Sequence, residues 1–201
     1  LDPVSGAKVF SLIKRSLYPP DWIMKKLDII IIDIQDTGVR YSTFISSITK
    51  LFESASVNDV PVIILDRPNP LGGQKISGPL PREEYQSFEA YHLVPIRHGM
   101  TIGELLLMVN EMGWAKDLKR VDLKIVPMAN WKREQYMDDL QLPWKKPAPY
   151  IKDLNTLIMY TGMDLLRGTN INVGFGADLP YLRFGSPWLA TKFFKEKLDM
   201  L

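Results

Sequence analysis

Asp33, Gln35, Asp36 and Arg40 follow a run of aliphatic residues in LDIIIIDIQDTGVRY, Leu27 to Tyr41. Some thirty residues on, VIILDRPN repeats the theme with Asp66, Arg67 and Asn69. Two apolar runs thus each deliver a carboxylate and an arginine. Ionised carboxylates accept several hydrogen bonds and so grip sugar hydroxyls. They also serve as general acid, base or nucleophile. The alternative is an Asp–Arg pair that only braces a turn, since a guanidinium binds a carboxylate bidentately without any catalytic role.

A third polar group is Arg97-His98-Gly99-Met100-Thr101. His98 stands just before the capping-box pattern Thr101-Ile-Gly-Glu104, where a helix N-terminus attracts anions and disfavours a charged histidine. It could donate to a ligand or work as acid/base, or simply complete the cap. In DRPNPLGG, two prolines fix φ and two glycines permit positive φ, so this loop has a set shape. Gly174-Phe-Gly176 has no GK[ST] ending and follows no strong strand, which argues against nucleotide binding. Trp131, Trp144 and Trp188 could be core or sugar-stacking rings; their number does not decide between these.

The elements that must position these groups follow from periodicity. Strands are expected at Val9 to Leu12, Leu27 to Ile34, Val60 to Leu65, Pro95 to Arg97 and Leu123 to Val126. Helices are expected from Pro19 to Lys26, Ser42 to Ser56, near Glu83, Thr101 to Met112, Trp131 to Asp139, Leu154 to Leu165 and from Ser186 onward. Apolar runs on successive residues imply a sheet covered on both faces. The fold class is therefore α/β, a mostly parallel sheet with helices on both faces, its ligands at the C-terminal edge of the strands. One main domain is expected over residues 1–190, with 191–201 a terminal helix or the start of another domain.

Composition narrows the chemistry. Of 201 residues, 46% are hydrophobic, and 25 basic against 23 acidic residues give +2. That balance makes no electrostatic case for nucleic acid or an anionic membrane. No stretch approaches the ~20 apolar residues of a membrane span. With no cysteine and only His92 and His98, thiolate chemistry and multi-histidine metal sites are excluded. No cofactor is implied. No signal peptide is visible, and the opening DPVSGAKVF and closing FFKEKLDML read as the interior of a longer polypeptide.

Taken in order, DIQDTGVRY, VIILDRPNPLGG, Gly78-Pro79, PIRHGMTIGEL, PMANWKREQY, LPW with PAP, RGTN and FGSPW resemble the bacterial exo-β-N-acetylmuramidase family of peptidoglycan recycling. The resemblance runs from about Val9 to Trp188. It implies a Rossmann-like domain followed by a smaller one, and release of terminal N-acetylmuramic acid from peptidoglycan fragments. It also implies a secreted or periplasmic protein. On this reading Asp33, Asp36 and Asp66 are the carboxylates near the sugar. Arg40, Arg67 and His98 hold its lactyl carboxylate and N-acetyl group, and Gln35, Asn69, Thr169 and Asn170 are further contacts. Arg167 joins these as a substrate contact.

The sequence also departs from the family pattern. The family's Pro-Glu-His-Gly is not in this chain. Ile13-Lys14 replaces Tyr-Gly, and Pro147-Ala-Pro-Tyr150 replaces Pro-Ser-Pro-Asn. Gly174-Phe-Gly-Ala177 replaces Gly-Arg-Gly-Thr. Arg167 stands where glutamate is usual, which reverses a local charge. The alternative to an active hydrolase is a muropeptide- or sugar-binding protein without catalysis.

Overall fold

The computed structural model describes residues 1–11, 17–114 and 119–200. It divides into two compact units, Leu1–Leu140 and Gln141–Leu201.

The first unit is built on three parallel strands in the order β1 (Ile30–Ile32), β2 (Val62–Leu65), β3 (Leu123–Val126). Ile30 pairs with Val62, and Val62 with Leu123. Between the strands run α2 (Thr43–Val57) and α3 (Ile102–Glu111); the short α1 (Asp21–Met24) precedes them. Strand residues Ile30, Ile32, Val62 and Ile64 form one core with Met24, with Ile45, Ile48 and Phe52 of α2, and with Ile102, Leu105 and Leu106 of α3. Side chains alternate across a strand, so these residues mark one face. Thr101 caps α3 with the reciprocal bonds to Glu104 that its spacing predicts.

The opposite face departs from expectation. Ile29, Ile31, Leu65 and Val126 are exposed there, Ile31 at 61%. The all-apolar runs imply cover on both faces; the described helices of this unit supply it on one.

Other elements are shorter than expected. The strand expected from Leu27 forms only at Ile30–Ile32. Val9 to Ser11 form no strand, and Leu12 lies outside the described residues. Pro95 to Arg97 yields only isolated bridges, Val39 to Arg97 and Ser77 to Arg97. The helix expected from Trp131 to Asp139 is replaced by turns and a 3-10 helix, Met137–Leu140. There Gly73 donates to the Arg133 carbonyl at 2.7 Å and Met137 to the Pro70 carbonyl at 3.1 Å. Those backbone groups therefore serve the DRPNPLGG loop.

α2 also buries charge. Lys50 donates to Glu53 at 2.9 and 3.1 Å and to the Tyr91 hydroxyl at 2.5 Å. Burial works against its charge, but bonds to Tyr18, Tyr91 and Glu53 outweigh that and hold its proton more tightly than usual. The neighbouring His92 bonds Thr49 at 2.8 Å and stacks on Trp114 at 5.6 Å. Burial, reinforced by the Lys50 charge, pushes its pKa down to about 4.

A base whose folded pKa is depressed stabilises the protein above its unfolded pKa and loses that contribution on acidification. Stability should therefore fall between pH 6.5 and about 4. Denaturant melts across that window should show a shallower fall for His92→Phe, which keeps the stack on Trp114. His98 titrates in the same direction, so part of the slope should survive. An unchanged slope would remove His92 from the pH response.

In the second unit, α4 (Leu154–Met163) is capped by Asp153, which accepts from the Thr156 amide at 2.7 Å. It runs into a 3-10 turn, Asp164–Gly168. Tyr150, Tyr160, Phe175 and Tyr181 cluster there, the tightest pair being Tyr160 and Tyr181 at 4.9 Å. The helix expected from Ser186 begins later, as α5 (Thr191–Leu198).

Among the described residues, no helix is long and apolar enough to cross a membrane.

Candidate functional site

The loops after β1 and β2 lie side by side because their strands are paired. Arg67 donates through Nε and Nη2 to the two oxygens of Asp33, at 2.6 and 3.0 Å. This bidentate pair is half open to solvent. The Arg67 guanidinium holds the Asp33 carboxyl below the usual range, and Asp33 raises Arg67 in return. Gln35 Nε2 bridges the same loops, donating to the carbonyls of Asp36 and Pro68 at 3.0 and 2.9 Å.

Beneath them Asp36 and His98 are buried, at 5% and 2% exposure. Asp36 Oδ2 accepts from the Gly38 amide at 2.8 Å and lies 3.8 Å from His98 Nε2. That gap is too long for a direct hydrogen bond, so the attraction is electrostatic. His98 Nδ1 accepts from the Met100 amide at 3.2 Å, which assigns its proton to Nε2, facing Asp36. Burial lowers the His98 pKa against the opposing pull of Asp36 and Glu104. Asp36 Oδ1 is buried with no hydrogen-bond partner among the described residues.

Asp66 sits at the N-terminus of α3. Its Oδ1 accepts from the amides of Gly103 and Arg67 at 2.8 and 3.0 Å, and its Oδ2 from the Thr101 hydroxyl at 2.7 Å. Helix termini leave amides unpaired, and a carboxylate there satisfies them and the dipole together. Gly103 is required by the approach: a Cβ there would stand 2.8 Å from Asp66 Cγ.

Arg40 and Asn69 are likewise bound to backbone. Arg40 Nη1 donates to the carbonyls of Pro79 and Val94, both at 2.7 Å. Asn69 donates to the Met100 carbonyl at 2.8 Å and accepts from the Leu71 amide at 2.9 Å. Arg40, His92 and His98 line a small cavity of ≈ 10 Å³, room for about one water molecule.

Asp33, Gln35, Asp36, Asp66, Arg67, Asn69 and His98 are therefore brought together in the first unit, around the loops after β1 and β2 and the start of α3. Arg40, in the same unit, is bonded to the Pro79 and Val94 carbonyls and meets His98 only across the small cavity. Arg167, Thr169 and Asn170 belong to the second unit. Arg167 donates there to Asp164, at 2.7 Å through Nε and 3.0 Å through Nη2, and the Tyr181 hydroxyl donates to the same carboxylate at 3.0 Å. Thr169 donates within its own turn to the Leu166 carbonyl at 2.7 Å. Asn170 is exposed.

Sequence reasoning gave Arg97 no role, although it lies in the RHG motif. Arg97 Nη2 binds the Leu71 carbonyl and the Tyr136 hydroxyl, and Arg133 binds Glu104. These arginines knit the DRPNPLGG loop and the α3 terminus to the Trp131 segment. Their partners lie 26 to 39 residues away, beyond any local pattern. Among the described residues, no three His, Cys, Asp or Glu side chains gather so as to hold a metal ion.

An α/β protein with a cluster of carboxylates and arginines at the strand ends is the class these features define. Residues 1–155 match the family described as exo-beta-N-acetylmuramidase NamZ, N-terminal, and the chain belongs to that family. It is 37% identical over 201 residues to peptidoglycan beta-N-acetylmuramidase NamZ of Bacillus subtilis (strain 168), covering 100% of this chain and 48% of that protein. A solved DUF1343 family protein of Bacteroides fragilis NCTC 9343 has TM-score 0.92 and 32% identity, over 99% of this chain and 52% of that one. A second from the same organism has TM-score 0.84 and 34% identity, over 93% and 50%. The chain thus spans about half the length of these relatives.

Proposed function

We propose that residues 1–201 form a recognition site for a peptidoglycan-derived amino sugar or muropeptide and bind it without hydrolysing it. The observation that carries this reading is the engagement of the carboxylates. Glycoside hydrolysis needs one carboxyl to carry a proton to the leaving oxygen and a second to act as base or nucleophile. Asp66 has both oxygens bonded at the α3 terminus. Asp33 is kept ionised by Arg67, unsuited to an acid. Asp36 is buried against His98, with the Gly38 amide on its Oδ2. What faces solvent is a paired carboxylate and guanidinium, suited to sugar hydroxyls and to an anion such as a lactyl carboxylate.

The second reading concerns the whole protein, and the family supports it: an exo-β-N-acetylmuramidase, releasing terminal N-acetylmuramic acid, with its principal acid outside these residues. A Rossmann-like completion of the sheet and a secreted or periplasmic location belong to that reading.

Calorimetric titration tests the binding. N-acetylmuramic acid should bind wild type, and Arg67→Met should weaken it by roughly 10-fold or more, the weight of one charge-assisted hydrogen bond. Equal affinity for N-acetylglucosamine, or no effect of Arg67→Met, would sink the anion-binding role.

A further inference from the structure

Arg40 Nε and His92 Nδ1 are closed off from solvent and meet no hydrogen-bond partner among the described residues. Buried polar groups are almost always paired, so each exception calls for a reason. Both residues border the cavity of ≈ 10 Å³ that His98 also lines.

The two atoms have opposite needs. Arg40 Nε carries a proton and can only donate. Its neighbour Nη1 is engaged by the Pro79 and Val94 carbonyls, and Nε is left over. For His92 the decision falls to Thr49. The Thr49 hydroxyl spends its one proton on the Ile45 carbonyl at 2.9 Å. Toward His92 Nε2, at 2.8 Å, it can therefore only accept. That assigns the ring proton to Nε2 and leaves Nδ1 with a bare lone pair. A donor without an acceptor and an acceptor without a donor thus border one cavity.

The occupant must accept from one side and donate to the other. A halide has no proton for the His92 lone pair, and a cation is repelled by the guanidinium. Water does both, and the volume is that of about one water molecule. Ser46 offers a third partner on the same wall. Its hydroxyl donates to the Phe88 carbonyl at 2.7 Å, so its oxygen can still accept. A buried water typically makes 2–4 hydrogen bonds. Val39, Ile45, Val94 and Leu105 supply apolar wall, which slows the escape of a molecule held there.

We propose that this cavity is a binding site for one ordered water, which accepts from Arg40 Nε and donates to His92 Nδ1 and Ser46 Oγ. The water joins α2, through Thr49 and His92, to the guanidinium that pins the Pro79 and Val94 carbonyls. His92 thereby holds Arg40 in place without touching it. The site stands whether or not the neighbouring loops bind a sugar.

The test uses the polypeptide at its natural length. A crystal structure fine enough to show waters should place one within about 3.2 Å of both Arg40 Nε and His92 Nδ1. In nuclear magnetic resonance spectra, the Arg40 Nε–H should show a cross-peak to a long-lived water, and His92 should carry its proton on Nε2. His92→Phe keeps a ring to stack on Trp114 and removes the acceptor. The Arg40 Nε–H should then exchange with solvent roughly 10-fold faster, the weight of about one hydrogen bond. The milder Ser46→Ala should speed it less. An empty cavity would overturn the proposal, as would an ion in the water's place or a His92 proton on Nδ1. So would unchanged Arg40 Nε–H exchange in both variants.

Discussion

Gly38→Ala is expected to destabilise the protein by about 2–5 kcal/mol. Gly38 has φ +75°, and a Cβ built there would lie 2.2 Å from Asn69 Oδ1. The left-handed backbone accounts for about 1–2 kcal/mol in a residue with a side chain. The collision adds about 1–3 kcal/mol, because Asn69 has nowhere to go. It is 2% exposed and held between the Leu71 amide and the Met100 carbonyl. Gly113 is the control, with φ +65° and nothing within 4 Å. Gly113→Ala should cost only the backbone share. Chemical denaturation of both variants separates the two contributions; equal losses would show that the Asn69 contact is dispensable. Since Gly38 also donates its amide to Asp36, the change should shift the buried Asp36–His98 pair as well.

Asp66→Ala should cost about 2–4 kcal/mol, and for a structural rather than a chemical reason. It strips the acceptor from the Gly103 amide, the Arg67 amide and the Thr101 hydroxyl. Hydrogen bonds to a charged group are worth about 1.5–3 kcal/mol, and loss of a helix cap about 1 kcal/mol. The contributions overlap, since Thr101 still caps Glu104. Asp66→Asn keeps an acceptor oxygen and should fall between. Thermal melting decides the matter. An unchanged melt with ligand binding lost would return Asp66 to the chemistry that its place after a strand suggests.

That contrast shows what was legible in the sequence. The apolar runs and their carboxylate endings correctly marked paired strands and the loops beyond them, because burial periodicity is a local signal. The Thr101 to Glu104 capping box is equally local. What each carboxylate does is not local. Asp66 reads like Asp33, yet one is saturated by a helix terminus 37 residues on and the other faces solvent beside Arg67. Arg40 looked like an anion ligand, but its reach to the Pro79 and Val94 carbonyls depends on how residues 79–94 fold back. Arg167 is paired with Asp164, three residues away on the same turn. The Trp131 segment has helical spacing, but its backbone is claimed by DRPNPLGG, a competition no single-segment pattern reports. The open sheet face was invisible for the opposite reason: the aliphatic run predicts a cover and carries no record of which residues supply it.

The most direct test of the central claim sets binding against turnover in the same sample. The purified 201-residue chain is titrated with N-acetylmuramic acid by calorimetry and then incubated with a chromogenic β-N-acetylmuraminide. Saturable binding of the sugar, with release of chromophore no faster than in buffer, is the predicted result. Turnover well above the blank, abolished by Asp36→Asn, would contradict it and place the hydrolytic chemistry among the residues present.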